Sequence, residues 1–138
     1  VWSSPAPRVL LPAVVLALLG GWRLSSRGPQ AAAAGVSAPR PTRLEQTGAR
    51  LYAGVCAYCH GINGDGFGLN SSNLAVPPRD HTDAAYMSSL SDERLFAVLR
   101  FGGASQGKSP LMPAWGGRFN GREIAALVAY LRTLGRPR

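Results

Sequence analysis

Two cysteines and a histidine fall within five residues at Cys56-Ala57-Tyr58-Cys59-His60, and the chain has no other cysteine. A disulfide scaffold is therefore excluded. A C-x-x-C-H run is the pattern of covalent c-type haem attachment. Two thiols add to two vinyl groups, and the adjacent imidazole is placed beneath the iron as its proximal ligand. The competing readings use fewer of these residues. A zinc site needs a fourth protein ligand, and His81 is the only other histidine. A redox dithiol wants a βαβ context, which the chain lacks. A Cys56–Cys59 disulfide leaves His60 without a role.

A haem also suits the composition. The chain has 138 residues, enough for one modest domain, and 46% of them are apolar, so disorder throughout is excluded. With 17 Gly and 11 Pro, it has room for a few helices joined by long ordered loops and for only a thin polypeptide core. A large apolar macrocycle would supply the missing contacts.

The formal charge is +8, and every basic side chain except Lys108 is arginine. Residues 1–50 hold six Arg against one Glu, whereas residues 51–138 hold nine basic and six acidic side chains. No Lys/Arg cluster interleaved with aromatics occurs in the second part, so a nucleic-acid partner is not expected.

Three segments follow from the pattern. Residues 1–24 contain the single strongly apolar run, VLLPAVVLALLGGW at 9–22. As a helix it reaches about 21 Å, short of a hydrocarbon core of about 30 Å. Trp22, Arg23 and Arg27 suit a retained anchor at the membrane interface, while Ala32 and Ala34 suit a cleaved signal. Residues 25–42 are rich in Pro, Ala, Ser and Arg and read as a linker. Residues 43–138 carry the folded domain.

Within that domain, Leu44, Gly48, Leu51, Tyr52 and Val55 fall at helical spacing and run into Cys56. Residues 61–83 are Gly/Asn/Pro-rich and read as an ordered loop in which Gly61, Gly64, Gly66 and Gly68 allow tight turns. Ser91 caps a helix through Leu95, Phe96, Val98 and Leu99, stopped at Gly102. Asn120 and Glu123 form a capping box ahead of Ile124, Leu127, Val128, Leu131 and Leu134.

These elements together resemble the class I monohaem cytochromes c, over roughly residues 43–135 and in the form of a membrane-anchored bacterial member. The likeness runs through the first helix, CAYCHGINGDGFG, SDERLFAVLRFGG, SPLMPAWGG and EIAALVAYLRTL. It implies an all-α, class I cytochrome c fold, with three to five helices wrapped around one covalent haem c and an N-terminal apolar helix ahead of them. It implies that Gly48 lets the first helix cross the last against Leu127 and Tyr130.

The resemblance assigns thioether bonds to Cys56 and Cys59 and axial ligation of iron to His60 and Met112. Met112 lies in Pro110-Leu111-Met112-Pro113, a loop fixed by two prolines, although most methionines simply fill core gaps. Met87 is read as packing and His81 as an exposed loop residue. In the family a proline carbonyl accepts from the proximal imidazole; here the corresponding place is Gly68-Leu69. Arg79 is a candidate partner for a propionate and Trp115 for the haem edge.

With His60 and Met112 both on iron, the expected function is a one-electron carrier and not an enzyme. It would be the cytochrome subunit of a membrane respiratory or photosynthetic complex, on the periplasmic side of a bacterial cytoplasmic membrane. Its partners would be other subunits and redox proteins, docking near Tyr58, Leu111 and Trp115. The alternative is a peroxidase-like haem enzyme or gas sensor with a displaceable sixth ligand.

Overall fold

The computed structural model describes residues 39–136, and all regular structure in them is helical. The apolar segment and most of the linker (residues 1–38) lie outside the described residues, as do residues 137 and 138. Helix α1 (Arg43–Leu51) continues through a π-type turn, Tyr52–Cys56, into the short α2 (Ala57–His60). After a long loop come α3 (Ala84–Ser88), α4 (Asp92–Phe101) and α5 (Gly121–Leu134). Single 3₁₀ turns at Ser71–Asn73 and Ala104–Gln106 tighten the two loops.

The helix ends follow from side-chain chemistry. Ser91 Oγ accepts from the Arg94 N–H (3.2 Å), and Gly102, at φ 82°, ends α4. Asn120 Oδ1 accepts from the Glu123 N–H (3.0 Å), and the Glu123 carboxylate accepts from the Asn120 N–H (2.8 Å), which completes the expected capping box. A second box opens α1: Thr42 and Glu45 exchange the same pair of bonds, at 3.2 and 2.6 Å. Those bonds hold the Glu45 carboxyl below its ordinary range, and Arg136 pairs with it at 2.9 Å. Helix α3 was not expected. It has five residues, too few for a period, and rests on Asp83, which accepts from the Tyr86 N–H at 3.0 Å.

Helix α1 packs along α5. The buried cluster gathers Tyr52, Leu95, Leu99, Ile124, Leu127 and Leu131 around that crossing. Gly48 faces the Ala126 carbonyl, where a Cβ would collide with it and come within 2.7 Å of Tyr130 Cβ. Tyr130 is thus opposite Gly48 as expected, and the nearest backbone is that of Ala126; Leu127, the next residue, is fully buried.

Gly48→Ala should therefore destabilise the domain by about 1–3 kcal/mol through overpacking against rigid backbone. A Cβ at Gly54 meets nothing within 4 Å. Gly54→Ala should be neutral or stabilising by up to about 1 kcal/mol through helix propensity. Thermal melts of the two variants, followed by circular dichroism, check the contrast.

Candidate cofactor site

In a helix, residues three and four apart share a face. Cys56, Cys59 and His60 consequently emerge on one side of the helical run that ends at Gly61 (φ 78°). Cys56 is 7% exposed, Cys59 is half-buried and both thiols are free. Burial, with Cys59 adding to it, pushes the Cys56 thiol up to about 12. A neutral, buried thiol is a poor thiolate ligand and a poor redox dithiol. Among the described residues, no three His, Cys, Asp or Glu gather to hold a metal ion by themselves.

His60 Nδ1 lies 3.0 Å from the Arg79 carbonyl. A carbonyl only accepts, so Nδ1 carries the proton and Nε2 keeps its lone pair. Burial holds this imidazole below the ordinary histidine range, against the opposing pull of the Arg79 bond. The acceptor is therefore Arg79, beyond Pro77-Pro78, and not the Gly68-Leu69 segment. Gly68 packs instead against the α2 backbone, with its N–H donating to the Cys59 carbonyl at 3.1 Å.

Cys56, Cys59, His60, Arg79, Met112 and Trp115 all line one cavity of about 520 Å³. Met112 reaches it from a loop whose carbonyl accepts from the Gly103 N–H at 2.9 Å. The Trp115 backbone N–H donates to the Leu99 carbonyl at the same distance, which ties the loop to α4. Met87 lines the cavity as well as filling the core. His81 is half-buried there too and not solvated as expected. Its ring stacks on His60, with centroids 4.4 Å apart. Burial first, then the nearby charge of His60, pulls the His81 imidazole down to about 3.

The polar groups at this cavity suit an apolar ring carrying carboxylates. Trp115 Nε1 is buried with no hydrogen-bond partner, although buried donors are normally satisfied. The Arg79 guanidinium lies 3.9 Å from the Tyr86 ring centroid, and Lys108 Nζ donates to the Tyr86 hydroxyl at 2.9 Å. Neither cation has an acidic partner among the described residues. Lys108 and Tyr86 were missed in the sequence, because a lone lysine in a Gly/Ser loop carries no pattern. The residues thus fit a haem: two thiols and a free Nε2 on one wall, a thioether on a loop, and one orphaned indole N–H beside two cations for carboxylates.

The sequence model of the family described as "Cytochrome C oxidase, cbb3-type, subunit III" matches residues 43–131. The chain belongs to this family. Among curated relatives of the cbb3 subunit III domain is a Cbb3-type cytochrome c oxidase subunit FixP from Azorhizobium caulinodans. It is 31% identical over 99 residues, which cover 72% of this chain and 30% of the relative. The FixP subunits of Bradyrhizobium sp. (strain ORS 278) and Bradyrhizobium diazoefficiens are 30% and 28% identical, over 64% of this chain and 27% of each relative. The chain thus spans less than a third of the length of these relatives. Family and fold together make the domain a c-type cytochrome of the class I kind.

Trp115 gives this cbb3 subunit III domain a test with opposite signs. Trp115→Phe keeps an aromatic ring against Phe119, whose ring centroid lies 5.7 Å away, and deletes the orphaned N–H. Without cofactor the substitution should be neutral or stabilising, because an unsatisfied buried donor costs about 1–3 kcal/mol. Were the indole N–H bonded to a carboxylate of the cofactor, the substitution should instead destabilise the matured protein by about 1 kcal/mol, through loss of that bond. Melting both forms of both proteins checks the reversal.

Proposed function

We propose that this domain is a one-electron carrier within a membrane respiratory oxidase complex of the cbb3 type, with one covalent haem c in the described domain. Cys56 and Cys59 would hold the haem through thioether bonds, His60 Nε2 and Met112 Sδ would ligate its iron, and Arg79, Lys108 and Trp115 Nε1 would receive its carboxylates. Haem c, when bound, supplies the ferric/ferrous couple. The chain does the rest. The Arg79 carbonyl keeps the His60 proton on Nδ1, which frees Nε2 as a ligand and raises its basicity. A thioether as the other ligand favours the reduced state and raises the potential. The apolar walls keep water from the couple. The observation that carries this reading is the convergence of Cys56, Cys59, His60 and Met112 on one cavity.

Partners reach the site at the cavity mouth. Tyr58, Val76 and Leu111 line it and are 58%, 58% and 59% exposed. Trp115 is half-buried and belongs to the wall, which leaves Val76 in its place on the expected docking patch. Redox partners that release after each turnover meet through small interfaces, under about 1,200 Å². We place the domain on the periplasmic side of a bacterial cytoplasmic membrane, because covalent attachment takes place outside the cytoplasm. The apolar segment 1–24 serves as its anchor and residues 25–42 as its tether. Among the described residues no helix is long and apolar enough to cross a membrane.

The full chain, matured by a cytochrome c assembly system, should keep its haem stain on a denaturing gel. It should be low-spin in the ferric state and inert to carbon monoxide in the ferrous state. Met112→Ala should lower the midpoint potential and admit carbon monoxide. Met87→Ala should leave both properties unchanged while costing about 2–5 kcal/mol of stability, as core methionine truncations do. A colourless band overturns the attachment; carbon monoxide binding by the unmutated protein overturns the carrier reading in favour of a sensor or enzyme.

A further inference from the structure

His81 has no part in the function described above, and its surroundings are built to hold it still. Its backbone N–H donates to the Gly64 carbonyl at 2.6 Å. Its Nδ1 lies 3.4 Å from the hydroxyl of Tyr52, a side chain that is 1% exposed. That hydroxyl donates to the Gly61 carbonyl at 3.1 Å, so toward His81 it accepts, and the His81 proton sits on Nδ1. The Tyr52 ring meets His81 edge-on, at 70° and 6.0 Å between centroids. The His81 ring stacks on that of His60, tilted by only 21°.

Two kinds of restraint therefore act on the His60 ring. The bond from Nδ1 to the Arg79 carbonyl fixes one atom and still lets the ring rock about the line joining them. A flat neighbour against its face removes that freedom. The stack at 4.4 Å is such a neighbour, and it is fixed through Tyr52 to Gly61, the residue that follows His60 in the chain. His60, Gly61, Tyr52 and His81 form a closed ring of contacts.

From this geometry we propose that His81 is a positioning residue, setting the plane of the His60 imidazole. The proposal rests on His60 being the proximal ligand. The plane of an axial imidazole decides which iron d orbitals it overlaps, so groups that orient a ligand tune the metal it binds. The chemistry that the position needs is a flat ring with an anchor, and histidine supplies both: a face for His60 and an N–H for Tyr52.

The test uses the full, haem-loaded chain and the paramagnetically shifted haem methyl resonances of the ferric protein. Their order and spread report the orientation of the axial ligand planes and do not follow global stability. His81→Ala should change the order or compress the spread, and shift the midpoint potential. His81→Phe keeps a flat face and should retain the wild-type order. Tyr52→Phe removes only the hydroxyl anchor and should produce a smaller change in the same direction as His81→Ala. An unchanged methyl pattern in His81→Ala overturns the proposal. If His81→Ala does not mature, Tyr52→Phe decides: a displaced pattern supports the proposal and a wild-type pattern overturns it. Loss of the low-spin methyl signature in the unmutated protein would instead overturn the ligation reading, which keeps the two failures apart.

Discussion

The close crossing of α1 over α5 at Gly48 sets the geometry on which the site depends. Without a Cβ at that position, α1 lies against the Ala126 carbonyl, nearer than any side chain allows. One turn later, Tyr52 reaches Tyr130 at 5.2 Å between centroids and places its hydroxyl against Gly61 and His81. The same helical run then carries Cys56, Cys59 and His60, while Leu127 and Leu131 of α5 supply part of the cavity wall. A packed interior compresses little. Any group that pushed α1 outward would move the attachment residues with it, so an interhelical distance set at Gly48 becomes a cavity dimension.

The π-type turn at Tyr52–Cys56 has a related role. The Ala57 N–H bonds to the Tyr52 carbonyl, five residues back, which widens the turn. Relative to an unbroken α-helix, the residues that follow are rotated by on the order of 100°. Tyr52 can therefore sit against α5 while the next turn is aimed at the cavity. Such turns are poorer in hydrogen-bond geometry than an α-helix and persist where a site needs the altered direction. Here that turn directly precedes Ala57 and the second cysteine.

How much of this was legible in the sequence varies with the kind of signal. The C-x-x-C-H run is local and chemical, and Asn120 with Glu123 spells out its cap three residues apart. The crossing glycine was visible through resemblance, and so was Tyr130 opposite it, but the Ala126 carbonyl that it meets has no side-chain signature. The π turn has no side-chain signature, and α3 is too short for a period. His81 was misread for a specific reason. Its neighbours make the segment look solvated, yet Asp80 Oδ1 accepts from both the Thr82 N–H, at 2.7 Å, and the Thr82 hydroxyl. Those polar groups satisfy one another locally and leave the histidine ring free to turn inward.

The charge around the cavity bears on how electrons arrive. Arg79 and Lys108 converge on Tyr86, and the Lys108 bond holds that phenol below its ordinary range. On the proposed reading both cations face carboxylates of the cofactor, and little net charge remains at the mouth for steering a partner. Long-range attraction raises encounter rates more than it raises affinity. A domain that lacks it depends on being held near its partner, where a tether raises the effective concentration without any new contact. The exposed apolar rim of Tyr58, Val76 and Leu111 suits that arrangement. On the same proposed reading it would give a short-lived contact close to the couple, with a strength that varies little with salt, because apolar contact is not screened as charge is.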